Sequence, residues 1–289
     1  MIKRVSILGL GLMGGSLGFA IKARGHADQV IGYDLTKEIC LKAVERRCVD
    51  VATSNLMDAV EDADLVLVCT PIDMVVPLVR QVVPLVKKNA IITDVASTKL
   101  MIVSHLGQLS RKDVYFIGGH PMAGSDQSGI MAARPDLFHG ALYLLTPTFD
   151  TNRDALEELD EFIQKLTPRV EHISPETHDQ LVALSSHLPY MLASVLVRTF
   201  MSSEDPPLKQ VQDVASSGFR DTSRVAASPA EWGRNVSVSN QGPILKQLDR
   251  FLAEAKKLRD AVAKGDQAEL QKFFETVSDF RRKMVSSEH

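Results

Sequence analysis

The chain has 289 residues and a formal net charge of −3, with 33 basic and 36 acidic side chains spread along it. That length has room for about two domains. A composition that is 45% hydrophobic and 24% charged is that of a soluble globular protein, and the absence of a basic stripe argues against a nucleic-acid partner. Three cysteines, Cys40, Cys48 and Cys69, make an odd number without C-x-x-C spacing. They point to reduced thiols in a cytoplasmic compartment, with neither a zinc site nor a disulfide frame.

The first element is the β-rich run RVSIL (4–8), followed directly by GLGLMG (9–14). Lys3 and Arg4 ahead of an apolar stretch could suggest a signal peptide, but Gly9, Gly11, Gly14, Gly15 and Gly18 suit a strand–turn–helix junction better. In that context G-x-G-x-x-G is a dinucleotide fingerprint. Gly9 permits the turn, Gly11 lets the backbone approach a pyrophosphate, and Gly14 brings the helix close to the strand. The phosphates then meet the positive end of the helix. A second strand, QVIGYD (29–34), ends in Asp34, where a carboxylate accepts hydrogen bonds from the adenosine ribose and repels a 2′-phosphate. This favours NAD, with NADP the alternative because Lys37 lies close by.

Apolar runs continue at ADLVLVCTP (63–71), NAIITDVAS (89–97), VYFIGGHP (114–121) and GALYLLTP (140–147), separated by helix-compatible stretches. Continuous hydrophobicity of this kind predicts a mostly parallel, doubly wound sheet covered on both faces. Ligands of such sheets lie at the carboxyl ends of the strands, which is where Thr70, Pro71, Ser97 and His120 fall. Glycines and Pro121 around His120 predict that it stands in a turn just after the strand VYFI (114–117).

The stretch 148–153 reads as a link, so the chain divides into 1–150 and 151–289. The second part is expected to be all-α. HDQLVALSSHLPYMLASVLV (178–197) is apolar on nearly every side, as a helix in a large core or between subunits is, and Pro189 should distort it. Two later stripes, from Leu245 to Val262 and from Leu270 to Met284, keep helical spacing and predict a domain core. Apolar runs elsewhere are broken by Asp73, Pro77, Arg80 or Pro84, so no transmembrane span is expected. His187, Arg220 and Arg224 are polar groups in this half that need a use; the two arginines share a face if GFRDTSR (218–224) is helical.

Taken together, GLGLMGGS, CTP (69–71), TDVAST (93–98), GGHPMAGSDQSG (118–129), SHLP (186–189) and GFRDTSR make the chain resemble, over almost its whole length, the prephenate and arogenate dehydrogenases of tyrosine biosynthesis. The resemblance implies an N-terminal Rossmann domain, an all-α C-terminal dimerisation domain, a homodimer, and NAD-dependent oxidative decarboxylation of prephenate, or of arogenate. It places the catalytic histidine at His120 with Ser97 as its partner, and substrate contacts at Arg224 and His187, with Ser125, Arg220 and Trp232 beside them. Gly9, Gly11, Leu12, Met13, Gly14, Asp34, Thr70 and Pro71 would bind the cofactor, and no metal is implied. With the chain ending at His289, no regulatory or fused mutase domain is expected.

Ser97 could bond the substrate hydroxyl or fix the imidazole's tautomer. Asp179, about 80° around the helix from His187, is a candidate neighbour for the ammonium of arogenate. Two other classes fit part of the pattern. A β-hydroxyacid dehydrogenase shares GLGLMG but relies on a K-x-x-N-N lysine that is absent here. A non-catalytic dinucleotide sensor would use the glycines and Asp34 and leave His120, His187 and Arg224 without a purpose.

Overall fold

In a computed structural model, which describes residues 2–125, 127–204 and 206–286, eight strands form one sheet. They are β1 (Arg4–Leu8), β2 (Gln29–Tyr33), β3 (Val51–Thr53), β4 (Leu65–Val68), β5 (Ile91–Asp94), β6 (Tyr115–Pro121), β7 (Leu142–Thr146) and β8 (Arg169–His172). The order is β3-β2-β1-β4-β5-β6-β7-β8. Strands from β3 to β6 are parallel, β7 runs antiparallel to β6, and β8 is parallel to β7. The sheet is doubly wound as expected, because β4 and β5 are buried at every residue and need cover on both faces.

Cover comes from α1 (Leu12–Ala23), α2 (Lys37–Glu45), α3 (Leu56–Val60), α4 (Ile72–Val82), α5 (Leu100–Leu106) and α6 (Arg153–Gln164). The remaining helices are α7 (Pro175–Val182), α8 (Leu188–Met201), α9 (Leu208–Val214), α10 (Ser217–Ser223), α11 (Ala230–Ser239), α12 (Gln241–Lys264) and α13 (Gln267–Ser286). The core forms two clusters, one holding Ile7, Leu17, Leu67 and Phe162, the other Leu8, Val66, Val79 and Ile92. Alternate residues of β1 and β4 thus serve opposite faces of the sheet.

Four expectations need correction. The sheet does not stop at 150: α6 and β8 follow it, and β8 pairs with β7 from Leu142↔Arg169 to Leu145↔His172. RVEH is too short and polar for its periodicity to reveal a strand. His120 does not stand in a turn, because β6 runs through Gly118 and Gly119 to Pro121 and pairs His120 with Leu144. Its glycines serve close approach. A Cβ at Gly118 would meet the Thr146 hydroxyl at 2.4 Å, and one at Gly119 the Asp94 carbonyl at 2.8 Å.

Thirdly, the stripes on α12 and α13 are not a core within the chain. The chain divides into two compact units, Met1–Pro243 and Ile244–His289. In the second, Leu245, Leu252, Val262, Phe274, Val277 and Phe280 are exposed. Finally, Pro175–Met201 is long and apolar enough, by length and composition, to cross a membrane. Yet His178, Asp179 and His187 within it are buried and hydrogen-bonded to other parts of the first unit, which ties the start of this segment to the sheet domain. Pro189 acts as expected: a π-helical turn (Ala183–His187) separates α7 from α8, and the proline stands in the first turn of α8, where its missing N–H costs nothing.

Candidate active site

The glycine turn joins β1 to α1. Gly9 has φ +96°, in the region that favours glycine, and a Cβ there would lie 2.8 Å from the Cys69 carbonyl. A Cβ at Gly14 would lie 2.0 Å from the Gly9 carbonyl, so the helix can start this close to the strand only with glycine. At Gly11 a Cβ would meet nothing within 4 Å. The turn is therefore packed on one side and open on the other, and the open side faces out beside the first N–H groups of α1, at Leu12 and Met13. No acidic residue sits in the first turn of α1 to compete for an anion.

Asp34 follows β2. Its carboxylate accepts the Leu10 N–H at 3.1 Å and the Thr36 N–H at 3.0 Å, which anchors it against the glycine turn. Each oxygen keeps a lone pair for a further donor. Thr70, next to Gly9, has a buried hydroxyl without a partner among the described residues, and Pro71 caps α4. An open turn, an anchored acid and an orphaned hydroxyl fit a nicotinamide dinucleotide.

Beyond the ends of β5 and β6 lies a buried polar cluster. Lys99 and Asp94 are wholly buried and paired, and the Lys99 ammonium also donates to the Gly119 carbonyl at 2.8 Å. Asp94 accepts the Gly119 N–H at 3.2 Å and the Ala96 N–H at 3.0 Å. Burial lowers the Lys99 pKa, while Asp94 opposes the shift. The pair ties the β5 end to the residue before His120.

His120 is 8% exposed. Its Nδ1 stands 2.8 Å from Nε2 of His178, and the rings meet edge-on with centroids 5.0 Å apart. Burial, then the proximity of His178, Lys99 and His187, pushes the His120 pKa well below the ordinary 6.5, so the imidazole is neutral at physiological pH.

His187 is wholly buried and its pKa falls to about 4, mainly through burial, with Asp179 opposing and His178 adding to the shift. Its tautomer follows from Asn240. The Asn240 amide nitrogen donates to the Asp179 carbonyl at 2.8 Å and sits 3.2 Å from His187 Nδ1. That nitrogen therefore donates to Nδ1, and the ring hydrogen of His187 is on Nε2, which has no partner among the described residues. Trp232 lies edge-on to His187 at 6.0 Å and donates its indole N–H to the Ser97 hydroxyl at 3.1 Å.

The remaining predicted residues divide. A pocket of about 330 Å3 brings together Ser125, Arg224 and Trp232 with Ser185, Ser186 and Tyr190. Arg220 is not among its walls; it is exposed and donates to the Ala215 carbonyl at 3.4 Å. Helix α10 ends at Ser223 and Arg224 opens a 3-10 turn, so the pair does not act from one helical face. Hydrogen bonds bear on two further expectations. Ser97 accepts from Trp232 and makes no bond to the His120 ring among the described residues, so of its two expected roles the one toward the substrate hydroxyl is kept. Asp179 is 1% exposed and its carboxylate holds the Lys99 and Leu100 N–H groups, so it faces no substrate ammonium.

The sequence reading missed His178, Asp94, Lys99 and Asn240. Only the dipeptide His178–Asp179 carried a signal, as two adjacent polar groups opening an otherwise apolar helix.

An open turn for a pyrophosphate, served by the same sheet edge as a neutral buried imidazole, is what a dinucleotide-dependent oxidoreductase needs, and that is the class these elements define. The chain belongs to the prephenate dehydrogenase family. Residues 17–172 match the family's nucleotide-binding domain and residues 174–276 its dimerization domain. The chain is 34% identical over 284 residues to the prephenate dehydrogenase of Bacillus subtilis, covering 97% of this chain and 76% of that one. It is 36% identical to the crystallised arogenate dehydrogenase of Synechocystis, with a TM-score of 0.82 over 97% of this chain and 99% of that one. Against the prephenate dehydrogenase of Aquifex aeolicus in complex with hydroxyphenyl propionate and NAD+, the identity is 28% and the TM-score 0.90, over 98% and 99% of the two chains.

Proposed function

We propose that the protein catalyses NAD-dependent oxidative decarboxylation of prephenate to 4-hydroxyphenylpyruvate, with arogenate the alternative substrate. The observation that carries this reading is the neutral, buried His120 at the end of β6, in a fold where Trp232 donates to Ser97 and lines a pocket together with Arg224. The bound dinucleotide supplies the hydride acceptor. Gly9, Gly11, Gly14 and the N–H groups at Leu12 and Met13 would hold its pyrophosphate and Asp34 its ribose, with Thr70 and Pro71 beside them. The carboxylate at Asp34 favours NAD over NADP.

As ring C4 of the substrate loses its hydride, His120 accepts the C4 hydroxyl proton. The ring carboxylate then leaves as CO2, the electron pair of the broken bond completes the aromatic ring, and the phenol oxygen takes its proton back. Ser97 accepts from Trp232 and so has its own O–H to donate to that oxygen. His187, whose Nε2–H has no partner among the described residues, is available to donate to the substrate. Arg224 grips the side-chain carboxylate, with Ser125 beside it. Tight binding of the departing ring carboxylate would instead stabilise the ground state.

The cofactor part runs through β8 and the helical part follows it, near the junction of the two family matches. The helical part supports a homodimer, since the exposed apolar stripes of α8, α12 and α13 need cover, and the site of action is the cytoplasm. Measuring kcat/KM for prephenate and arogenate, each with NAD and NADP, tests the reading. Prephenate with NAD should rank first; reduction of neither cofactor with either substrate would refute it.

A further inference from the structure

His178 and Asp179 have no part in the reaction as outlined, yet they lie directly behind the base. Three side chains form a line: His120 Nδ1 is 2.8 Å from His178 Nε2, and His178 Nδ1 is 2.8 Å from Asp179 Oδ1. All three residues are buried, and His178 is wholly so. The far end of the line is rigid. Asp179 Oδ1 accepts the Lys99 N–H at 2.8 Å and Oδ2 accepts the Leu100 N–H at 3.0 Å, where α5 begins.

Each of the two side-chain contacts carries one hydrogen, and counting from the rigid end assigns both. A carboxylate already receiving two backbone N–H groups is an acceptor, so the hydrogen between Asp179 and His178 belongs to His178 Nδ1. A relay of this kind has a single hydrogen on His178, which makes Nε2 the acceptor and gives the hydrogen between the rings to His120 Nδ1. Neutral His120 with Nδ1–H carries its lone pair on Nε2. Ser97 accepts from Trp232 and makes no hydrogen bond to this ring among the described residues.

We propose that Asp179 and His178 form a positioning relay that fixes His120 as the Nδ1–H tautomer and so makes Nε2 the nitrogen that takes the substrate proton. The inference rests on the reading of His120 as the base. During the step one O–H bond breaks and one Nε2–H bond forms; no proton moves along the relay. The imidazolium keeps its Nδ1–H on His178 Nε2, and Asp179 behind orients His178 to receive it. The logic is that of a carboxylate orienting a catalytic histidine, lengthened by one imidazole. Asp179 also orients His187, through its backbone carbonyl and Asn240. One residue of α7 therefore sets the hydrogen positions of both active-site histidines.

The test is the nitrogen NMR spectrum of the 15N-histidine-labelled protein at neutral pH without substrate, with His120→Asn used to assign the signal. The relay predicts a protonated Nδ1 and an unprotonated Nε2 for His120. Two variants extend it. His178→Phe removes the acceptor while filling a similar volume; it should shift His120 toward Nε2–H and lower kcat about 10- to 100-fold, with NAD affinity unchanged. His178→Gln can accept from His120 and donate to Asp179, and should restore much of the Nδ1–H signal and rate. A wild-type His120 carrying its hydrogen on Nε2 overturns the relay, whether or not either variant folds. So does a His178→Phe variant within threefold of wild type in kcat with Nδ1–H retained. If His120→Asn itself keeps the rate, it is the reading of the base that fails, which separates the two outcomes.

Discussion

Burial sets the protonation of the site one side chain at a time. His120 and His187 are held neutral because a charged imidazole in the interior loses its hydration. For catalysis this means that the acid limb of kcat/KM should lie well below pH 6.5, with a flat profile through neutrality. A limb at or above pH 6.5 would contradict it. Stability follows the same groups. Between pH 6.5 and about 4 the unfolded chain protonates at His187 while the folded chain does not. The stability tied to a neutral His187 is therefore complete above pH 6.5 and is lost as pH falls toward 4, at up to about 1.4 kcal/mol per pH unit. His120 adds a slope of the same sign. Urea unfolding at pH 7 and 5 should show this loss, and His187→Phe should flatten it. In the proposed reaction Arg224 serves binding, so Arg224→Ala should raise KM tens- to hundreds-fold, a loss of about 2–4 kcal/mol. kcat should fall less, and a collapse of kcat at constant KM would place the arginine on the departing carboxylate instead.

Strand ends and helix starts hold these residues where a sequence shows only fragments. The glycine turn was legible because each glycine has one local task, and the observed φ of Gly9 and the crowding at Gly14 match those tasks. The glycines at 118 and 119 were legible as unusual but not as strand residues, since what they make room for, Thr146 and Asp94, is distant in sequence. Long-range pairing also hid β8, whose four residues carry no apolar run; the Lys99–Asp94 pair is local in sequence, and what hid it is its burial against the distant Gly119. The pair sets up a direct prediction. Lys99→Met leaves Asp94 buried without its cation, and should destabilise the fold by about 3–5 kcal/mol in denaturant titration. A loss below 1 kcal/mol would show that Asp94 is not held by the ammonium.

For the whole molecule, the exposed apolar stripes matter most. Within the first unit α8 buries only Ala193, leaving Val195 and Met201 exposed, and the second unit exposes Phe274, Val277 and Phe280. Periodicity made these stripes visible in the sequence, but it cannot say whether the same chain or another covers them. Sedimentation should give a dimer at micromolar concentration; a stable, fully active monomer would remove the dimer. The central claim, that His120 takes the substrate proton in a prephenate-oxidising enzyme, is tested most directly by comparing His120→Asn with wild type in NADH formation from prephenate, alongside NAD affinity. The account predicts a fall in kcat of about 10²–10⁴-fold with NAD binding unchanged. A fall of less than threefold would contradict it.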